Sequence, residues 1–202
     1  MSNPNAPFGL RPVRHIDGSP WNGQTIRCYC SASYATALFI GDPVMFGGTT
    51  LSKKDATVKH MTIETNAGTT GLMINGVITS FEPNPDNLTQ QYRPASQERW
   101  ANVVVATPNV VFQVRDDGSG TPAPVFTYQN AELAAGSGGS TKTGLSSFVL
   151  DASTPAATQA HPLLILGLAD IPDNELDDYA IWEVLINTCY NATGLYLGVT
   201  AT

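Results

Sequence analysis

Charge is scarce in this chain. Only 13% of its 202 residues are Asp, Glu, Lys or Arg, where about a quarter is usual. Basic charge is scarcer still: ten Lys and Arg stand against 17 Asp and Glu, for a net charge of −7. A protein whose task is to grip a phosphate backbone needs a basic footprint, so direct nucleic-acid binding is not expected. Long apolar runs are missing too. PLLILGLA, at 162–169, is far too short to span a bilayer, so no membrane segment is expected. The start MSNPNAPFG has no basic stretch followed by an apolar one, so no secretory leader is expected. Synthesis in a cytoplasm fits both readings.

Cysteine is sparse and odd in number: Cys28, Cys30 and Cys189. Cys28 and Cys30 point to one face of a strand, but C-x-C is a poor disulfide geometry, so all three read as thiols. A zinc site needs more Cys and His ligands at tighter spacing. Sequence signatures of catalysis are missing as well: there is no H-E-x-x-H, G-x-S-x-G or phosphate-binding loop. The three histidines, His15, His60 and His161, sit in no catalytic pattern. The densest carboxylate cluster, Asp170, Asp173, Glu175, Asp177 and Asp178, lacks the spacing and central glycine of a calcium loop, and reads as a solvated connection between strands. The chain is therefore read as no enzyme, with no cofactor and no metal.

What the sequence does have is short strand signals punctuated by Gly, Pro, Asn and Asp. Candidates are 25–31, 37–46, 57–65, 70–81, 101–107, 109–116, 146–151, 162–169 and 178–187, with 194–198 as a last edge piece. Two alternate with period two. In 109–116, Val110, Phe112 and Val114 face one way and Gln113 and Arg115 the other. In 178–187, Ala180, Trp182, Val184 and Ile186 oppose Glu183 and Asn187. Leu164 joins Phe112, Val114, Trp182 and Val184 as an expected core residue. DDGSG, after the first of these strands, reads as a hairpin turn. TYQNAELAAG, at 127–136, is the one modest helix candidate. The fold class is all-β: a barrel or sandwich of about nine or ten short strands with an extended N-terminal arm and long loops.

The arm is residues 1–23, and residues 24–202 form a single β-rich domain with loop insertions near 82–100 and 134–144. Within the arm, NAPFGLRPVRHIDGSPWNG carries three prolines and three glycines, and shows no strand or helix period. It also carries contact residues. Phe8, Arg11, Arg14, His15 and Trp21 are the candidate partner-binding set, since arginine and aromatic side chains supply most interface energy. An acidic partner groove suits this small basic cluster.

Four blocks together resemble virion structural proteins of tailed bacteriophages: the opening NAPFGLRPVRHIDGSPWNG, LFIGDPVMF at 38–46, TPNVVFQVRDDG at 107–118, and LLILGLADIPDNELDDYAIWEVLIN at 163–187. The resemblance implies a capsid decoration, or cement, protein. The expected partner is then the major capsid protein, the expected place is the capsid surface of the virion after synthesis in the host cytoplasm, and a homo-oligomer is expected on local symmetry axes. Other readings are a tail or head–tail connector component and a carbohydrate-binding β-sandwich module. In the last, Trp21, Tyr92 and Trp100 would serve as stacking platforms.

Overall fold

The computed structural model describes residues 3–47, 60–62, 73–120, 122–136 and 138–189. Among these residues the chain is all-β, with twelve strands, one 3-10 turn (Pro124–Phe126) and no α-helix. Two β units dominate. A closed barrel is built from β2 (Ile26–Cys30), β3 (Pro43–Gly47), β4 (His60–Thr62), β5 (Gly76–Phe81) and β6 (Arg99–Val105), in the order β2-β4-β3-β5-β6. Closure is antiparallel throughout except where β2 meets β4. The second unit is an antiparallel sheet of β1 (Arg11–His15), β7 (Val110–Arg115), β12 (Ile181–Ile186), β11 (Leu163–Leu168) and β8 (Asn130–Ala131), in that order. A small pair, β9 (Leu133–Ala134) and β10 (Val149–Leu150), completes the set.

Side-chain alternation joins the two units. On β5 and β6, Ile78, Ala101 and Val103 turn into the barrel beside Cys28, Cys30 and Val44. Their neighbours Val77 and Val104 join Phe112, Val114, Trp182 and Val184 of the sheet in the largest apolar cluster. Each such side chain, fully buried, contributes roughly 1.5–3 kcal/mol. Leu164 is buried, as expected. It pairs with Leu185 and clusters with Val111 on the opposite face of the sheet. Its pairing register decides the face, because neighbouring residues of a strand point opposite ways.

The N-terminal stretch departs from expectation. Far from lacking regular structure, residues 11–15 are the edge strand of the five-stranded sheet, paired with β7. Pro12 is tolerated there because an edge strand can lose one ladder hydrogen bond, and the register shifts across Val13. Leu10 lies in the main core. Gly9 and Gly41 let this segment cross the 39–42 turn: a Cβ on Gly41 would stand 2.2 Å from the Phe8 carbonyl oxygen. Residues 19–21 fold back on the strand, with His15 N–H donating to Ser19 O and Trp21 N–H to Val13 O. The expected arm is therefore part of the body, extended but not detached.

Two further expectations are corrected. Residues 127–136 are not helical. Residues 130–131 pair with β11 and residues 133–134 pair with β10, so sheet pairing overrides a weak local preference. DDGSG is not a hairpin turn, since β7 pairs with β1 and β12 and the chain leaves toward the 3-10 turn. The expected strand at 194–198 and most of 57–65 lie outside the described residues. No helix among the described residues is long and apolar enough to cross a membrane.

Candidate interaction surface

The N-terminal segment forms one wall of a groove of about 930 Å³. Pro7, Phe8, Leu10 and Arg11 line that wall, Ile40 and Ile78 the barrel side, and Gly138, Gly139, Thr143 and Leu145 the facing loop. Close backbone approach shapes the loop: a Cβ on Gly139 would stand 2.1 Å from the ring of Phe39. Phe39 in turn stacks on Tyr92, with ring centroids 5.2 Å apart. Arg11 lies over the Phe8 ring at 4.8 Å and donates to Gln113 Oε1 at 2.7 Å. Its guanidinium is thus aligned by neutral groups and meets no carboxylate among the described residues.

The five expected contact residues separate. Phe8, Arg11 and Trp21 share the groove. Arg14 is engaged with Glu183, its Nη2 donating to Oε2 at 2.5 Å. His15 lines a smaller recess of about 240 Å³ with Trp21 and Ile26, and Trp21 also packs against the main core. Arg14 and Trp21 are thus partly committed to holding the segment in place.

Beneath the groove lies a carboxylate that sequence pattern alone did not mark. Asp42 is 3% exposed and accepts the Phe39 N–H at 2.8 Å. Burial pushes its pKa up to about 6, against the opposing pull of hydrogen bonds from Ser146 and the Phe39 N–H. Ser146 itself lines the groove, so this carboxylate ties the barrel turn to the facing loop.

The 82–100 insertion is pinned rather than loose. Arg93 is fully buried and donates to the carbonyls of Gln97, Thr36, Ser31 and Tyr34. Arg99 donates to the carbonyls of Glu82, Tyr92 and Gln90. Two planar, multi-donor cations thereby satisfy seven backbone acceptors, a task suited to guanidinium geometry. At the outer end of this fixed loop Leu88 is 77% exposed, the most exposed large apolar side chain among the described residues.

The expected stacking platforms do not share a face. Tyr92 is covered by Phe39, Trp21 packs on the core, and Trp100 carries Arg27 over its ring at 3.7 Å, with Arg27 also bound to Glu82. Tyr29 meets Trp100 edge-on at 5.1 Å and donates to Glu98. Burial, then the Glu98 contact, pushes the Tyr29 hydroxyl up to about 12.

The acidic loop is ordered by two asparagines. Asn3 donates to the carbonyls of Glu175 and Asp178 and accepts the Glu175 N–H. Asn174 donates to Ala169 O and accepts the Ile181 N–H. Among the described residues no group of three or more His, Cys, Asp or Glu stands close enough to hold a metal. His161 is held between Asn130 O at 3.2 Å and Glu132 at 3.6 Å. His60 lies in β4, with its side chain outside the described set. Burial pushes the Cys30 thiol up to about 11, which leaves it protonated and unreactive.

Comparison with protein-family models, with curated proteins and with solved structures gave no match.

Proposed function

We propose that the chain is a virion structural protein of a tailed bacteriophage that decorates the capsid shell, binds the major capsid protein and stabilises contacts between capsid subunits. The observation that carries this reading is the pinned loop. Arg93 and Arg99 fix 82–98 to the barrel, and the loop presents Leu88 to solvent. Burying an apolar side chain that stands on a rigid support costs little ordering entropy on docking. A cement protein gains from such supports, because many modest contacts repeated over a symmetric shell act together.

The resemblance of the four sequence blocks supports the same reading. So does the fold: a body whose buried polar groups are spent on holding loops down suits a mechanical role. The test is co-sedimentation of purified protein with capsids stripped of it. Wild type should saturate the shell at a fixed copy number. Leu88→Asp should lower occupancy at matched concentration while leaving the thermal midpoint unchanged. No binding by the wild type at any concentration would refute the reading.

A further inference from the structure

We infer that this chain pairs with a second copy of itself, the acidic loop 170–178 of each copy entering the Arg11 groove of the other. This goes beyond the capsid reading and does not depend on it. Among the described residues three Lys or Arg are exposed: Arg11, Arg27 and Lys142. Arg27 is neutralised by Glu82. The other two have no carboxylate partner among the described residues: Arg11 lines one wall of the groove, and Lys142 stands beside it, exposed in the loop whose Ser140 and Thr143 line the facing wall. On a protein of net charge −7, the exposed cationic charge left over among the described residues thus lies in, or in the loop beside, one apolar recess.

The matching surface lies on the same molecule. Asp170, Asp173, Asp177 and Asp178 are exposed on a loop whose backbone is fixed by Asn3 and Asn174. Leu176 rises among them, 39% exposed. An apolar residue ringed by carboxylates complements an apolar groove flanked by cations. The two surfaces also adjoin. Asn3 holds the loop, and the groove wall begins at Ala6, a distance of at most about 10 Å along the chain. Complementary patches so close along one chain suit a two-fold interface, in which loop meets groove twice.

The experiment is sedimentation velocity on the full chain, without capsids, over a range of concentration and salt. Wild type should dimerise, and the dimer should weaken as salt rises. Two charge-reversed proteins are compared with it: a groove variant, Arg11→Glu with Lys142→Glu, and a loop variant, Asp170→Lys with Asp178→Lys. Each alone should raise the dimer dissociation constant at least about tenfold. Mixed in equal amounts they should pair again, because each reversed groove then meets a reversed loop. All four positions are exposed, and a far-UV spectrum of each variant serves as the check on folding. Should a variant fail to fold, the salt series on wild type decides, and a salt-independent dimer overturns the proposal. A wild type that stays monomeric, variants that dimerise like wild type, or a mixture no tighter than its parts would each overturn it. A monomer whose groove variant loses capsid attachment would assign the groove to the capsid subunit and also overturn it.

Discussion

The indole Nε1–H of Trp182 donates to Asp116 Oδ2 at 2.9 Å, with both side chains buried. Asp116 also accepts the Gly118 N–H at 3.0 Å, so one carboxylate closes the end of β7 and orients the largest core side chain. Burial raises the Asp116 pKa, and these hydrogen bonds oppose the rise. Trp182→Ala should cost roughly 3–5 kcal/mol through lost burial and a cavity. Asp116→Ala should cost roughly 1–3 kcal/mol by leaving the indole and amide donors unpaired. Chemical denaturation reads both, and near-UV circular dichroism should show a changed tryptophan environment in Asp116→Ala. An unchanged midpoint in either variant would contradict this placement of the core.

Arg93 should be as hard to replace as a core aromatic. Arg93→Ala removes a buried donor shared by four carbonyls, of which only those of Ser31 and Tyr34 keep a backbone donor, and Arg93→Lys supplies one point donor group in place of a planar fork. Both should lower the thermal midpoint, alanine more. Limited proteolysis should then cut within 82–98 before the body unfolds. Cleavage at the wild-type rate would mean that the loop is held by something else.

The N-terminal segment should prove necessary for folding. Leu10→Ala should cost roughly 2–5 kcal/mol, since Leu10 lies in the main core. Removing residues 2–20 would strip β1 from β7 as well, leaving a raw sheet edge prone to aggregation. Gly41→Ala should destabilise through its 2.2 Å approach to Phe8 O at φ +96°. A truncated chain that melts like wild type would restore the picture of a detachable arm.

Asp42 gives the protein a definite pH dependence. Its pKa rises from 3.8 unfolded to about 6 folded. The native state therefore keeps a proton that the unfolded state releases between those values. The stability from this group is greatest near pH 4 and falls as pH rises through about 6, by on the order of 3 kcal/mol. Asp42→Asn should remove that slope. Unfolding free energies of both proteins at pH 4 to 7 check this, and a constant gap between them would contradict it.

Strands with clean alternation were legible in the sequence. Those at 110–115 and 181–186 fall where Phe112, Val114, Trp182 and Val184 place them. Leu164 is buried as its sequence suggested, but which face of the sheet it takes could not be read, because register depends on a partner strand, here β12. Arg11–His15 was missed because one proline and a register shift at Val13 erase the period of an edge strand. Phe8 and Arg11 could be picked as contact residues from chemistry alone. Leu88, Lys142 and Asn3 could not, since their meaning comes from segments brought together across the fold. Arg93 carried no signal either: an arginine in a polar, proline-rich loop reads as solvated until its four carbonyl partners are seen.

The proposed place of this protein is on the capsid shell of a virion. A density map of tailed-phage particles that carry the chain tests it most directly. The expected map shows the two β units on the outer face of the shell, at repeated positions over junctions between capsid subunits, with the loop around Leu88 against the capsid surface. Density confined to the tail or the head–tail connector, or no ordered copy on the shell, would contradict it.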